Sequence, residues 1–473
     1  MCGIAGFCNF KEDFEENTDY WNFRLEKMRA VLAHRGNDAR GRYLKKHIGL
    51  SHSRLAIRDI LCGDQPMTRT HNGYEYTICY NGEIYNTDEL IPELSENGFV
   101  CSTTSDTEVI LYAYIHWGAD FVNRLNGIFA FAIWDAAKSR LLLYRDRVGV
   151  KPLFYAIRGD SLVFGSEPKA CFAHPAVKPE LDKQGLQELL AIGPAHTSGL
   201  SLFKDLFEVL PGHFMIYSRD GLHDETYWEL TSREHTESYR DTVAHTRFLV
   251  EDAIKRQMVS DVPVCTFLSG GIDSSIVTAI AANYMNTRGK TLNTFSFDFK
   301  DNDRYFKANA FQPERDLPYV NRMLEEYETA HSYLECDENS LFKALFAAVD
   351  AKDMPGMTDV DSSLLYFCSL VSRKNKVALT GECADEIFGG YPWFYRKELL
   401  ERYGFPWSSD VAPRLALLRD DVGLELDLSG YQAFRYEESR SKAPLLYGEA
   451  GEDESRRIIG YLNIKWFMQT PLD

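Results

Sequence analysis

An apolar run, a glycine loop and the start of a helix follow one another in Val264-Cys265-Thr266-Phe267-Leu268-Ser269-Gly270-Gly271-Ile272-Asp273-Ser274-Ser275. The apolar residues predict a buried strand, and the small residues after them predict the first turn of a helix. Two glycines let backbone amides converge on an anion at a helix N-terminus, and the serines add hydroxyl donors. A plain serine–glycine turn capped by an aspartate is the alternative interpretation. The whole run after an apolar strand favours an anion-binding loop.

The aspartate in this loop indicates that the anion is bound together with a cation. Asp273 would repel a bare phosphate, whereas a divalent cation can bridge a carboxylate to phosphate oxygens. The loop is not a Walker A motif, because no Gly-Lys-Ser or Gly-Lys-Thr follows it. It is not a Gly-x-Ser-x-Gly nucleophile elbow, because Phe267 occupies the first glycine position.

A second cluster of acidic residues follows another short apolar run, within Leu379-Thr380-Gly381-Glu382-Cys383-Ala384-Asp385-Glu386-Ile387-Phe388-Gly389-Gly390-Tyr391. Three carboxylates within five residues repel one another unless one coordinates a metal or handles protons. The cluster therefore predicts a second part of the same site.

The chain divides into two regions that differ in their predicted order of helices and strands. Helical patterns at 249–258 and 274–285 alternate with strand patterns at 262–268, 291–299 and 377–380, which is typical of a parallel, doubly wound α/β domain. The N-terminal region is instead rich in short strands, which favours a layered α+β sandwich. We predict domains at 1–230 and 241–473, joined by a polar linker at 231–240, and an acidic loop at 448–457.

Composition narrows the function classes for this chain of 473 residues. Its net charge of −18 disfavours sequence-independent binding to nucleic acids or membranes. No apolar stretch approaches the roughly 18–20 residues of a membrane span, and the N-terminus lacks the basic leader of a signal peptide. Ten cysteines without a Cys-x-x-Cys pair argue against a zinc knuckle or a disulfide framework. Reduced thiols predict a cytoplasmic protein.

Cys2 is a candidate nucleophile because of its position. Removal of Met1 would place a thiol and a free α-amine on one residue, and an amine with a pKa near about 8 is a usable base. Gly3 leaves room for a substrate. In isolation, the alternative that Cys2 is merely one of ten thiols would be favoured.

The N-terminal region resembles the class II glutamine amidotransferases, whose N-terminal cysteine hydrolyses glutamine. The resemblance covers nearly the whole first half and rests on Cys2-Gly3-Ile4-Ala5-Gly6, His34-Arg35-Gly36, Ser53-Arg54-Leu55-Ala56-Ile57, Tyr80-Asn81-Gly82-Glu83-Ile84-Tyr85-Asn86, Ser105-Asp106-Thr107-Glu108 and Arg145-Asp146-Arg147-Val148-Gly149-Val150-Lys151-Pro152-Leu153. Two positions depart from the family pattern: Asn37 replaces a proline, and Arg58 replaces an apolar residue. Both departures could alter the affinity for glutamine.

The resemblance assigns roles within this region. It implies that Arg54 grips the α-carboxylate of glutamine, and that Asp106 and the Glu83 region receive its α-ammonium group. It also implies that the Asn81 side chain and the Gly82 amide form the oxyanion hole. Ser105 to Glu108 is also a helix capping box, and Asn81-Gly82 is also a tight turn; we expect both interpretations to hold.

The second region resembles the ATP pyrophosphatases, and its acidic cluster is similar to the Gly-Glu-Gly-Ala-Asp-Glu signature of asparagine synthetases, with Cys383 in place of a glycine. By this resemblance Glu382 assists adenylate formation and ammonia addition, and Asp385 joins Asp273 at Mg²⁺. The residues that would contact ATP or pyrophosphate are Phe267, Ser269, Gly270, Gly271, Asp273, Ser274, Phe297, Thr380 and Gly381.

The two resemblances together imply the glutamine-hydrolysing asparagine synthetase family. The implied fold is an N-terminal-nucleophile αββα sandwich (α+β) followed by an α/β parallel-sheet domain like those of ATP pyrophosphatases and adenine nucleotide alpha hydrolases. The implied reaction uses glutamine, aspartate and ATP, and passes through β-aspartyl-AMP to asparagine, glutamate, AMP and pyrophosphate. A homodimer is possible.

Three alternatives remain open. The chain could be a glutaminase with an inactive synthetase half, an amidotransferase for another carboxylate, or a non-catalytic sensor of aspartate or nucleotide. The family continues beyond the equivalent of Asp473 into a basic stretch, so we also expect the chain to be truncated.

Overall fold

The computed structural model describes residues 1–193, 195–231, 234–308, 314–400, 402–408, 410–443 and 458–462. The acidic loop predicted at 448–457 and the chain end from residue 463 lie outside these ranges. The chain forms two compact units. The first contains Met1–Thr231 and Asp410–Glu438, and the second contains Ser232–Ser409 and Ser439–Ile464.

The strands of the described residues are β1 Gly3–Asn9, β2 Ala39–Lys45, β3 Ile48–Arg54, β4 Met67–His71, β5 Tyr74–Ile84, β6 Gly127–Asp135, β7 Arg140–Arg145, β8 Phe154–Arg158, β9 Ser161–Gly165, β10 Phe207–Glu208, β11 His213–Ser218, β12 Gly221–Thr226, β13 Val264–Phe267, β14 Leu292–Phe299, β15 Thr329–Cys336 and β16 Val377–Leu379. The α-helices are α1 Thr18–Ala30, α2 Thr87–Glu96, α3 Asp106–Trp117, α4 Pro168–Phe172, α5 Lys183–Gln187, α6 Tyr239–Arg256, α7 Ile272–Asn286, α8 Asn302–Tyr305, α9 Leu317–Glu326, α10 Glu338–Lys352, α11 Thr358–Val371, α12 Ala384–Phe388, α13 Lys397–Leu400, α14 Ala412–Leu415, α15 Asp420–Leu426 and α16 Leu428–Lys442. Short 3-10 turns occupy Phe14–Asn17, Ala33–Arg35, Ala119–Arg124 and Pro392–Phe394, and a π-helical turn occupies Glu188–Ile192.

The first unit is a four-layered sandwich. Its two six-stranded antiparallel sheets have the orders β10-β8-β9-β1-β3-β2 and β12-β11-β7-β6-β5-β4. Helices α1 and α4 pack on the outer face of the first sheet, and α3 packs on the outer face of the second with α2 beside it. The inner faces meet in an apolar core that includes Ile4, Leu50, Ala132 and Leu143. The expected αββα fold is thus confirmed for this region.

Coverage of both faces explains the sequence of the central strands. Every residue of β3 and six of the seven residues of β1 are buried, so most of their side chains are apolar or small. The exceptions, His52 and Arg54 of β3, form hydrogen bonds. Pairing of Gly3 with Ser53 fixes the register of β1 against β3 and brings Cys2 beside the end of β3.

The second unit contains a parallel sheet with the order β15-β14-β13-β16. Strands β14 and β15 lie successively on one side of β13, and β16 lies on the other, so the strand order reverses between β13 and β16. Ligands of open α/β sheets bind at such a reversal, beyond the carboxyl ends of the strands. The predicted α/β fold is confirmed. Sequence patterns missed β15, an edge strand in which only one of eight residues is buried.

Helices from late in the chain complete the first unit. Tyr431 on α16 donates a hydrogen bond to Glu188 in the π-helical turn, and Arg435 lies 3.4 Å from the same carboxylate. Arg414 donates to the carbonyl of Gly193 at 2.8 Å. The predicted domain boundaries stay a prediction, because the compact units follow contacts in space rather than ranges in sequence.

Candidate active sites

Cys2 is half-buried at the start of β1, and its thiol contacts the backbone of Leu55. The Sγ atom lies 3.6 Å from the Leu55 carbonyl oxygen and accepts the Leu55 N–H at 3.4 Å. Burial raises the pKa of the Cys2 thiol, although the Leu55 amide and the chain's N-terminal ammonium group act in the opposite direction. At neutral pH the group is therefore a thiol, and attack on a carbonyl requires a nearby proton acceptor.

Strand β5 lies across the sandwich from β1 and β3. The ring nitrogen Nε2 of His52 is 3.0 Å from the Tyr80 carbonyl oxygen, and Cys79 donates to the Ser51 carbonyl at 3.2 Å. Burial lowers the pKa of His52 to about 4, so the imidazole is neutral at pH 7 and supplies the N–H of the Tyr80 contact. This packing carries the segment Asn81-Gly82-Glu83 to the neighbourhood of Cys2, whose pKa responds to the charge of Glu83.

Asn81 presents an unused hydrogen-bond donor. Its side chain is 1% exposed, and its Nδ2 atom has no hydrogen-bond partner among the described residues. A buried donor left without an acceptor costs about 1–3 kcal/mol, so such groups are rare in native structures. At Gly82 a Cβ would overlap the carbonyl oxygen of Ile128 on β6, which explains the glycine. Asn81 and Gly82 pair with β6 as part of β5, so the predicted tight turn at these residues is wrong. A substrate oxygen could satisfy the Asn81 donor.

Two carboxylates meet at the end of β5. Asp106, at the start of α3, accepts the Tyr80 hydroxyl at 2.8 Å and the Ile84 N–H at 3.0 Å. Burial and the charge of Asp106 raise the pKa of Glu83 to about 8, and burial raises the pKa of Asp106. Arg58 lies 4.0 Å from Asp106. Paired buried carboxylates are chemically suited to a cationic group of a ligand.

Arg54 is held by the loop that follows β3. Its guanidinium donates to Asp64 at 2.9 Å, to the Ile60 carbonyl at 3.2 Å and to the Asp59 carbonyl at 2.5 Å. Ile60 and Asp59 accept through backbone carbonyls, whereas Asp64 accepts through its side-chain carboxylate. The Asp64 side chain is 73% exposed. The predicted grip of Arg54 on a carboxylate stays a prediction, and the structure shows that one carboxylate already occupies that guanidinium.

A buried framework supports the loop after β7. The fully buried Arg145 pairs with Glu208 at 2.8 Å, and Asp146 accepts the N–H groups of Val150 and Lys151, both at 2.9 Å. The loop directs the Lys151 ammonium group to the Met1 sulfur. Arg145, Asp146, Val150 and Lys151 belong to the Arg145–Leu153 motif, but sequence reasoning assigned none of them a role at the site.

In the second unit the glycine loop connects β13 to α7. The Ser269 and Ser274 hydroxyls lie 3.0 Å apart, and Ser274 also donates to the Gly271 carbonyl at 3.1 Å. Gly270 has φ +86°, and a Cβ there would come within 2.7 Å of the Asp316 carbonyl oxygen. Gly271 caps α7 and is exposed, so the helix N-terminus is open to an anion.

The acidic cluster follows β16 and touches the glycine loop. A Cβ at Gly381 would lie 2.8 Å from the Cβ of Asp273, so the two loops are in contact. Burial, then the charges of Asp273 and Glu386, raise the pKa of Asp385. Desolvation and the neighbouring carboxylates also raise the pKa of Glu382. Without a cation, these groups are destabilised in their ionised forms.

Aromatic side chains form a patch at the same end of the parallel sheet. Phe267 and Phe297, at or near the ends of β13 and β14, pack against Phe367 of α11 with ring centroids 4.6 and 5.1 Å away. Thr380 accepts the Glu382 N–H at 3.4 Å, next to Gly381. The structure therefore brings the predicted nucleotide-contact residues to the carboxyl ends of β13, β14 and β16.

A divalent cation fits this donor set, with substrate phosphates as further ligands. Mg²⁺ is usually held by one or two carboxylates together with phosphate oxygens, and Asp273 and Asp385 supply two carboxylates. No group of three or more His, Cys, Asp or Glu side chains that could hold a metal occurs within the ranges described.

A helix that is both long and apolar enough to cross a bilayer is likewise missing from the described part of the chain.

Comparison with known proteins supports the predicted family resemblance of both the N-terminal and the C-terminal region of the chain. The family model for a glutamine amidotransferase domain matches residues 1–228, and the family model for asparagine synthase matches residues 245–473. The chain is 47% identical over 474 residues to asparagine synthetase [glutamine-hydrolyzing] 3 of Bacillus subtilis, covering all of this chain and 76% of that protein. It is 32% identical to asparagine synthetase [glutamine-hydrolyzing] 1 of the same organism, covering 84% of this chain and 60% of that protein.

Two further similarities complete the comparison. Amidase chyE of Penicillium rubens is 32% identical, with 87% of this chain and 62% of that protein covered. Among solved structures, glutamine phosphoribosylpyrophosphate amidotransferase from B. subtilis shares 15% identity and a TM-score of 0.39, with 83% of this chain and 97% of that chain covered. The resemblance predicted from the sequence motifs is confirmed by the two family models and the relative with 47% identity.

Proposed function

Because this chain belongs to the glutamine-hydrolysing asparagine synthetase family, we propose that it transfers ammonia from glutamine to the side-chain carboxylate of aspartate at the expense of ATP. Cys2 is the nucleophile of the first half-reaction. Adenylation of aspartate gives β-aspartyl-AMP and pyrophosphate. Ammonia then displaces AMP and yields asparagine.

The first half-reaction requires that Met1 has already been removed from the chain. This frees the α-amine of Cys2, which accepts the thiol proton as Sγ attacks the glutamine amide carbon. The raised pKa of the thiol makes this acceptor necessary. The tetrahedral intermediate places its oxyanion at Asn81 Nδ2 and the Gly82 N–H. The α-ammonium group of Cys2 then returns the proton to the amide nitrogen, so that collapse of the intermediate breaks the C–N bond, releases ammonia and leaves a thioester. Water then hydrolyses the thioester to glutamate.

Glutamine is oriented by charges at its other end. The Glu83–Asp106 pair receives the α-ammonium group. The α-carboxylate replaces the exposed Asp64 carboxylate at Arg54, so one carboxylate exchanges for another at the same guanidinium. This exchange reconciles the proposed role of Arg54 with its observed hydrogen bonds.

The second half-reaction takes place at the carboxyl ends of β13 and β16. The Ser269–Ser274 loop and the N-terminus of α7 bind the phosphates of ATP, while Phe267, Phe297, Thr380 and Gly381 contact the nucleotide. Asp273 and Asp385 would hold Mg²⁺, which would supply positive charge to neutralise the developing charge on pyrophosphate. Glu382, with its raised pKa, is suited to exchange a proton as ammonia attacks the acyl-adenylate.

The unpartnered Asn81 donor is the observation that carries the glutaminase assignment, because it is buried and unpaired where an oxyanion would form. The complete reaction is tested by pyrophosphate release in the presence of ATP and Mg²⁺. We expect release that depends on aspartate, with either glutamine or ammonia as the nitrogen donor. Glutamate formation without aspartate-dependent pyrophosphate would reduce the proposal to a glutaminase.

The acceptor is tested separately, because a 32% identical relative is named an amidase rather than an asparagine synthetase. Other small carboxylates replace aspartate in the same assay. Pyrophosphate release with another carboxylate and not with aspartate would assign the chain to a different amidation. We also propose a cytoplasmic location and the possibility of a homodimer, which cell fractionation and light scattering would check.

A further inference from the structure

Arg58 stands where the family pattern has an apolar residue, and its guanidinium reaches the end of β5. It donates to the Ile84 carbonyl at 2.8 Å and to the Thr87 hydroxyl at 3.1 Å, and it lies 4.0 Å from the Asp106 carboxylate. Only 13% of its side chain is exposed. A buried cation therefore borders the carboxylates that are proposed to bind a second cation, the α-ammonium group of glutamine.

Charge balance explains why a cation is useful there. Asp106 and Glu83 carry two negative charges when both are ionised, whereas glutamine offers them one ammonium group. With Arg58 beside the pair, the net charge is −1, which one ammonium group neutralises. Without Arg58 the pair would retain a proton on one carboxylate up to a higher pH, because like charges at a buried site cannot both ionise easily.

We propose that Arg58 is a positioning residue for the nitrogen donor: its guanidinium favours ionisation of the Glu83–Asp106 pair, and thereby the doubly ionised form that receives the α-ammonium group of glutamine. This inference rests on the proposed function. Arg58 acts through the two carboxylates, whereas its own hydrogen bonds go to the protein.

Other charged groups act on the same pair. Lys151 from the loop after β7 and the N-terminal ammonium group favour ionised Glu83, as Arg58 does. Asp106 opposes ionisation of Glu83, and the hydroxyls of Tyr80 and Tyr85 lie within the electrostatic reach of Glu83. With a pKa of about 8, Glu83 is mostly protonated in the empty site at pH 7. Glutamine binding must therefore release a proton.

These charges determine the direction in which the loss of Arg58 would shift the pKa values of Glu83 and Asp106. Removing a positive charge raises the pKa values of both carboxylates, so less of the pair is ionised at a given pH. A rise of about one unit in the pKa of Glu83 would weaken glutamine binding about tenfold near pH 6.5 but only about threefold near pH 8.5. The loss of repulsion between Arg58 and the α-ammonium group would reduce the difference further at high pH.

The test is calorimetric titration of glutamine into the full chain carrying Cys2→Ala, so that binding is measured without hydrolysis. Arg58→Gln and Arg58→Lys are introduced into this background. Titration in buffers of different ionisation enthalpy gives the number of protons released. We expect Arg58→Gln to weaken binding more at low pH than at high pH, and to release more protons than the parent near pH 8. Arg58→Lys should restore the parent values.

Arg42→Gln, at an exposed arginine of β2, is the matched control and should change neither quantity. Equal weakening of glutamine binding by Arg58→Gln at all pH values, or an unchanged proton release, would overturn the inference, because a merely structural role predicts this result. If the parent chain binds no glutamine, or if unmodified chain does not hydrolyse it, the proposed function itself fails. The two failures are thus distinguishable.

Discussion

The two candidate sites differ in how the chain builds them. Residues of the first site lie on or beside strands within a covered sandwich, and Asn81 and Asp106 are 1% and 5% exposed. Residues of the second site lie in loops beyond a parallel sheet, and Ser269 and Gly271 are exposed. The first site leaves a buried donor unpaired, whereas the serine hydroxyls of the second are paired with each other.

This difference indicates how each site meets its substrate. Fixed donors in a dry environment stabilise a developing charge without reorganisation, so the proposed oxyanion site would be preorganised. The loops of the second site must exchange internal hydrogen bonds and relieve carboxylate repulsion when nucleotide and cation arrive. Substitutions in the first site should therefore affect chemistry with little effect on stability, and substitutions in the second should affect ligand binding and local backbone strain.

The largest effect is expected from Cys2→Ala. Glutamine-dependent asparagine formation should fall at least about a thousandfold, because the thioester cannot form. Ammonia-dependent formation should remain, since the second site is untouched. Both rates are measured as aspartate-dependent pyrophosphate release.

Cys62→Ala, at an exposed thiol, is the control and should retain both activities. Equal loss of the glutamine- and ammonia-dependent rates in Cys2→Ala would contradict the separation of the two sites.

Asn81→Ala should lower kcat/KM for glutamine about 100- to 1000-fold, as expected for the loss of one oxyanion donor. The melting temperature should change little, because Asn81 Nδ2 has no hydrogen bond to lose. Asn86→Ala gives the reverse pattern as a matched control. Asn86 donates to Arg124 and accepts from Asn126, both at 2.9 Å, so its loss should destabilise the chain. A large fall in melting temperature for Asn81→Ala would show that Asn81 has a structural role.

Asp385→Asn should weaken Mg²⁺ binding in the presence of ATP about 10- to 100-fold, the range for loss of one charge-assisted contact of about 1.5–3 kcal/mol. The measurement is the Mg²⁺ concentration that gives half-maximal pyrophosphate release. Glutamate formation from glutamine should be unaffected. Asp359→Asn, at an exposed aspartate of α11, should match wild type. An unchanged Mg²⁺ requirement in Asp385→Asn would exclude this carboxylate as a ligand.

Sequence reasoning named candidate residues for both sites, but it missed the contacts that hold the surrounding structure in place. Cys2 and Ser269 could be identified because their chemistry is local to a short run, whereas Asn81 was assigned only through the resemblance to class II glutamine amidotransferases. The Glu188 contact with Tyr431 could not, because it joins residues 243 positions apart. The Arg54 hydrogen bonds were also missed, since loop conformation depends on packing that no spacing encodes. Edge strand β15 escaped detection because half-exposed strands lack a continuous apolar run.

The smallest effect is expected at Cys383, where this chain departs from the family's glycine. Cys383 has φ +69°, a left-handed conformation, whereas no residue of β5 has positive φ. A non-glycine residue in this conformation costs about 1–2 kcal/mol. Cys383→Gly should therefore be more stable than Cys383→Ala by about 1 kcal/mol, or roughly 2–4 °C in melting temperature, because the alanine retains the strain. Scanning calorimetry with the two variants checks this difference, and equal melting temperatures would show that the left-handed conformation of residue 383 carries no strain.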